Sequence, residues 1–311
     1  MNTLLLEFVD AYTWFTALLI TVTVAGILWE ERTRNEEDRE VVRRVNARFR
    51  SWWVLWALFS VAKSGPVFVV LLGLLSFQAL REFITLTPTR SSDHAALLVV
   101  FFLITPLQYA LVAFGAYGLF CVLIPVYSFL FIPALLCLSG DSHAFVERTA
   151  RLQWALMVCV YCISHAPAIE LLEIPGYHAH DKLLLLLFLV VEIGDVVETL
   201  VGRYWGKWRL SPKILPSLTV EGLAAGLATA TAIGALLWWN TPYTLFQAAA
   251  VSFMTALAGV AGKVTMAAIK RDRAQAGIWT EGYGGVLNRL APFCFASPVF
   301  VHVTRFLFDL R

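Results

Sequence analysis

The chain has 311 residues, of which 59% are hydrophobic and only 15% charged, and its mean hydropathy is +0.71. Soluble globular proteins carry about 25% charged residues, so a soluble enzyme, a nucleic-acid-binding protein and a disordered chain are excluded. A formal net charge of +2 is too small for a polyanion to be the main partner.

Residues 1–12 hold Glu7 and Asp10 and no basic residue. The positive start of a cleaved leader is missing, and the first apolar run reads as a retained span. A membrane helix needs about 20 apolar residues. Runs of this character lie at 11–29, 51–63, 66–80, 95–113, 116–138, 152–172, 182–201, 220–239, 243–263 and 290–308. Lys63-Ser64-Gly65-Pro66 marks a helix break between the second and third. Those two also read as one kinked span, so the count is nine or ten. Segment 30–50 carries six acids and seven arginines. At helical spacing such charges pair four residues apart, which predicts a solvated helical extension of the first span. The alternative is a docking site for a protein partner or for anionic headgroups.

The intervals 30–50, 81–94, 139–151, 202–217 and 264–289 hold 19 of the 24 lysines and arginines. With ten spans all five fall on one face, which the positive-inside rule makes cytoplasmic, with both termini outside. With nine spans the alternation breaks. The sequence therefore predicts an all-α, polytopic membrane helix bundle of about ten spans, placed in a bacterial inner membrane with its polar loops cytoplasmic. Its divisions are 1–50, a first span plus a charged segment; 51–180, an N-terminal bundle; and 181–311, which carries the chemistry. The five cysteines all lie in apolar runs, and Cys159-Val160-Tyr161-Cys162 has no second pair to complete a metal or redox motif. They read as small apolar side chains. His165 and His302 read as hydrogen-bonded interior residues.

Two blocks carry polar groups that a membrane tolerates only for a reason. The first runs through Glu192, Asp195 and Glu198 to the loop Gly202-Arg203-Tyr204-Trp205-Gly206-Lys207, then Pro212-Lys213 and Thr219-Val220-Glu221-Gly222. Acids three residues apart share one broad helix face, and their oxygens suit a divalent cation. The basic loop suits phosphate. The second block holds Gly262-Lys263, then Lys270-Arg271-Asp272, then Gly282-Tyr283-Gly284-Gly285 and Asn288-Arg289. Glycines let backbone N–H groups approach phosphate oxygens.

Together the two blocks resemble the CDP-diacylglycerol synthase (phosphatidate cytidylyltransferase) family, with the best match over 190–300 and a fainter echo at Ala79-Leu80-Arg81-Glu82-Phe83. The resemblance implies that fold, and the conversion of CTP and phosphatidate into CDP-diacylglycerol and pyrophosphate. It assigns Asp195, Glu221, Lys270 and Arg271 as retained catalytic positions. It assigns Arg203, Lys207, Lys213, Lys270, Arg271, Gly284, Gly285 and Arg289 to phosphate and lipid, with magnesium bridging the phosphates. Six positions depart from the family pattern. Lys263 replaces the acid of a Gly-Asp pair, Ala267 a serine, Tyr283 a histidine and Leu218 a lysine. Asn288 and Ala291 replace the two acids of Asp-Arg-x-Asp. The Lys-Asp pair that follows Lys-Arg is also missing, with Ala274-Gln275-Ala276 in that place.

Nucleotidyl transfer needs metal ions to neutralise phosphate charge and align attack, and an ammonium at a ligand position repels magnesium. The reading is therefore a catalytically degraded family member, a phospholipid-binding or scaffold subunit with no cofactor. Its partners would be an anionic phospholipid such as phosphatidate and a second protein, like or unlike, through 30–50. The alternative is an active cytidylyltransferase with magnesium, its metal held if anywhere by Asp195 and Glu198. Lys263 is expected to pair with Asp195 and Glu198 inside the bundle; the alternative is that it snorkels to the surface.

Overall fold

The computed structural model describes residues 2–61, 65–275 and 285–310. It divides into two compact units, Met1–Ala62 and Lys63–Arg311. The first unit is a hairpin of α1 (Asn2–Arg32) and α2 (Glu36–Val61). The charged run does not extend α1. Asn35 stops it, with its side-chain amide on Asp38 at 3.2 Å and its carbonyl on the Arg39 N–H at 2.9 Å, so a new helix starts at Glu36 and runs back antiparallel. Asn46 then donates to Gly26 O (3.0 Å) and to Glu30 (2.8 Å), Arg43 donates to Glu30 (3.2 Å), and Trp53 to Thr23 (3.1 Å). Part of the charged run is thus spent on closing the hairpin.

The second unit is helical apart from one small hairpin. Its helices are α3 (Gly65–Thr85), α4 (Ser91–Ala113), α5 (Tyr117–Leu138), α6 (Phe145–Leu171), α7 (His180–Tyr204), α8 (Val220–Leu236), α9 (Leu245–Gln275) and α10 (Val286–Leu307). Strands β1 (Arg209–Ser211) and β2 (Leu215–Thr219) pair antiparallel between α7 and α8. Among the described residues six helices, α3 to α6, α9 and α10, are long and apolar enough to cross a membrane. The count of ten spans also included α1, α2, α7 and α8. α8 is apolar and, at 17 residues, sits at the lower limit for a span, and α7 carries Glu192, Asp195 and Glu198 in its apolar stretch. The protein is an all-α polytopic membrane bundle.

Helices α4, α5 and α6 each contain a π-helical turn, at Val100–Ile104, Leu123–Ser128 and Met157–Tyr161. Hydroxyls serve two of them: Thr105 donates to Val100 O (2.8 Å) and Ser128 to Leu123 O (3.0 Å). In lipid each backbone carbonyl needs such a partner.

α7 is buried on nearly every face between Leu183 and Glu198, as befits a helix apolar all round. It touches α8 along a stripe of small residues, Gly222, Gly226 and Ala230, while Gly234 lies against Ala248 and Ser252 of α9. A Cβ at Gly222 would lie 2.5 Å from Glu198 O, and one at Gly226 2.7 Å from Gly194 O. Glycine at both positions lets the two backbones meet, the close packing that small residues four apart permit in membranes.

Candidate functional site

α7, α8, α9 and α10 form a narrow cleft lined by Val191, Asp195, Glu198, Leu227, Val260 and Pro292 among others. It is apolar except for its acids. Glu192, Asp195 and Glu198 are all buried, and of the three Asp195 and Glu198 line the cleft and share the face turned to α9. Lys263 reaches Asp195 and Glu198 from α9. Its Nζ lies 2.7 Å from Asp195 Oδ1 and 3.0 Å from both oxygens of Glu198, with Thr199 Oγ1 at 3.5 Å. The ammonium turns into the bundle and does not snorkel. No group of three or more His, Cys, Asp or Glu side chains is arranged to hold a metal ion among the described residues. The oxygens of Asp195 and Glu198 that would face a cation face the ammonium, so magnesium does not fit there while Lys263 holds this pose.

A second cluster forms where α9, α10 and α3 meet. Lys270 Nζ donates to Asn288 Oδ1. Glu82, at the end of α3, accepts the Leu287 N–H at 3.1 Å. Its carboxylate lies so close to Gly285 that a side chain there would collide with it. A carboxylate at a helix N-terminus satisfies N–H groups left without intrahelical partners. Glu82 thus positions the start of α10, beside two residues of the C-terminal motif. Sequence reading quoted Glu82 only as an echo.

The loop between α7 and α8 is braced by Glu221. It accepts the backbone N–H of Lys207 (3.1 Å) and of Trp208 (3.3 Å), and its carboxyl is held below the ordinary range first by its own backbone N–H. Glu221 therefore organises the basic loop. Thr219 caps α8, accepting the Gly222 N–H at 3.1 Å. Arg203, Lys207 and Lys213 are exposed, as are Arg271 and Arg289. Leu218 is fully buried, Ala291 is buried and Ala267 half-buried. Gly285 is the residue before α10; Gly282, Tyr283 and Gly284 lie outside the described residues. His165 is interior, but His302 is exposed. They meet at 3.3 Å between their Nε2 atoms, and His302 also bonds Tyr117.

Residues 43–307 match the model of the cytidylyltransferase family. The uncharacterized protein YnbB of Escherichia coli K12 is 32% identical over 300 residues, covering 93% of this chain and 96% of that protein. A phosphatidate cytidylyltransferase of Aquifex aeolicus is 28% identical over 163 residues, 51% of this chain and 57% of the relative. One from Bacillus subtilis is 31% identical over 102 residues, 32% of this chain and 38% of the relative. The inward acids of α7, the braced basic loop and the C-terminal motif start at α10 all fall inside the matched range, and with them this chain is a member of the cytidylyltransferase family.

Proposed function

We propose that this chain is a bacterial inner-membrane protein that binds an anionic phospholipid, such as phosphatidate, at the basic end of its bundle and does not carry out magnesium-dependent CTP transfer. The concentration of lysine and arginine in the loops at this end supports a cytoplasmic placement. The observation that carries the reading is Lys263 set between Asp195 and Glu198 at 2.7–3.0 Å. A tethered ammonium neutralises these carboxylates without an ion and offers no open coordination position to phosphate oxygens. Lipid recognition then falls to Arg203, Lys207, Lys213, Lys270, Arg271 and Arg289. Each cation near an anionic surface contributes about 1 kcal/mol.

The second reading is that of a working transferase. The Gly202–Gly222 loop keeps a built shape, with Glu221 holding two backbone N–H groups. Purified protein incubated with labelled CTP, phosphatidate and magnesium separates the two. The proposal expects no labelled CDP-diacylglycerol above a blank membrane preparation, and product above that blank overturns it. Native mass spectrometry is expected to show phosphatidate retained in preference to zwitterionic lipid; equal retention removes the binding half of the reading.

A further inference from the structure

The loop and hairpin that join α7 to α8 present an unusual surface. Residues 202–219 contain four basic residues and no Asp or Glu. Arg203, Lys207, Arg209 and Lys213 are all exposed. Interleaved with them are large apolar side chains that the fold leaves uncovered: Trp205 is 67% exposed, Trp208 73% and Leu210 54%. In water such a surface would be a liability. Tryptophan beside lysine and arginine is instead the composition of a membrane interface, where the ring sits at headgroup depth and the cation meets phosphate.

The fold fixes the depth independently. Trp208 O accepts the Val220 N–H at 2.8 Å, so Trp208 lies at the first turn of α8. At the other end of α8 stand Trp238 and Trp239, 44% and 64% exposed. The 17 residues of α8 span about 25 Å at 1.5 Å per residue, close to the ~30 Å hydrocarbon thickness of a bilayer. Exposed tryptophans therefore bracket one apolar helix at bilayer spacing. That places the β1–β2 hairpin at the level of the headgroups and not in bulk solvent.

We infer that the 203–213 segment is a membrane-surface reader: Trp205 and Trp208 anchor it in the leaflet on the basic side, and its four cations bind anionic phospholipid headgroups there. The occupant is the anionic surface of the surrounding leaflet, matched by charge to a segment without a single acid. This does not depend on what the cleft beside Lys263 holds.

The test uses the full chain in vesicles of phosphatidylcholine alone or mixed with phosphatidylglycerol. Emission of the wild type minus that of Trp205→Phe/Trp208→Phe isolates the two tryptophans. In anionic vesicles this difference emission is expected to be quenched by lipids brominated near the headgroup and shielded from acrylamide. The shielding is expected to fall in phosphatidylcholine alone, and in the charge-removed variant Arg203→Gln/Lys207→Gln/Arg209→Gln/Lys213→Gln. Trypsin cleavage of wild type after Lys207 and Arg209 is a check that needs no variant, and anionic lipid is expected to slow it. Acrylamide quenching that is complete in both vesicle types, with no quenching by bromolipid, overturns the anchoring. Quenching and cleavage that ignore lipid charge overturn the headgroup recognition.

Discussion

Arg148 and Lys263 each bring a cation among carboxylates inside the second unit, and they are satisfied in different ways. Arg148 donates from Nε to Asp93 at 2.6 Å, from Nη1 to the Asp141 carbonyl at 2.8 Å and from Nη2 to Ser92 at 3.0 Å. Both Arg148 and Asp93 are almost fully buried, at 2% and 5% exposure. The planar guanidinium fork matches a turn whose backbone supplies part of the ligation. Lys263 is held by the side chains of Asp195 and Glu198 on a neighbouring helix. A site whose partners are backbone carbonyls is fixed by the fold. A site made of side chains can exchange its central cation through one substitution, and position 263, where the family resemblance sets an acid, bears such an exchange.

The largest expected effect lies at the arginine. Arg148→Met leaves Asp93 buried without its cation, and breaking such a pair costs about 3–5 kcal/mol. Arg148→Lys is expected to lose much of the same amount, because an ammonium cannot reproduce the fork. Thermal melts in detergent measure both. A lysine variant that melts with the wild type would erase the distinction drawn between the two clusters.

At the other cluster Lys263→Ala is expected to cost about 3 kcal/mol, the low end for a broken buried pair, since Lys263 keeps 18% of its side-chain exposure. Lys263→Ala combined with Asp195→Asn should recover part of the loss, with a coupling of about 0.5–3 kcal/mol. Purely additive shifts would mean that no pairing energy exists.

Lys263→Asp sharpens the comparison further. It sets a third acid beside Asp195 and Glu198, so the metal-free protein should melt earlier than wild type. Magnesium at about 100 times its dissociation constant should return about 2.7 kcal/mol, while wild type should not respond. A variant whose melting ignores magnesium would show that the cleft has lost more than one ligand.

How much of this was legible follows the chemistry of each signal. Apolar runs and loop arginines gave the helices because bilayer length and charge placement act residue by residue. The common face of Asp195 and Glu198 followed from helical spacing, and the partner of Lys263 from the cost of a buried charge. The turn at Asn35 was missed because the charge run continues through it; only a cap whose side chain folds back on Asp38 reverses the chain. The β1–β2 hairpin was missed because its strands are three and five residues long, too short for alternation to register. Glu82 and Asp93 stayed obscure because their partners, Leu287 and Arg148, lie far along the chain, and no local pattern encodes a contact of that range.

The smallest effect concerns Asp141, the rim of the arginine cluster. Its carboxyl is pulled down to about 2 from 3.8, first by the Ser92 hydroxyl, then by the His143 N–H, with Arg90 and Arg148 adding their charges. A carboxylate whose folded value is depressed contributes stability that is present above its unfolded value and lost as pH falls through the folded one. The window is therefore about pH 4 down to about pH 2. Across it Arg148 keeps the carbonyl of Asp141, whose bond does not titrate, so the acid limb should be shallow. Asp141→Asn preserves an acceptor for Ser92 and Arg90 while removing the charge, and should flatten that part of the limb while leaving melting above it nearly unchanged. An acid limb of the same slope in the variant would assign it to other carboxylates and leave Asp141 as a neutral-equivalent turn residue.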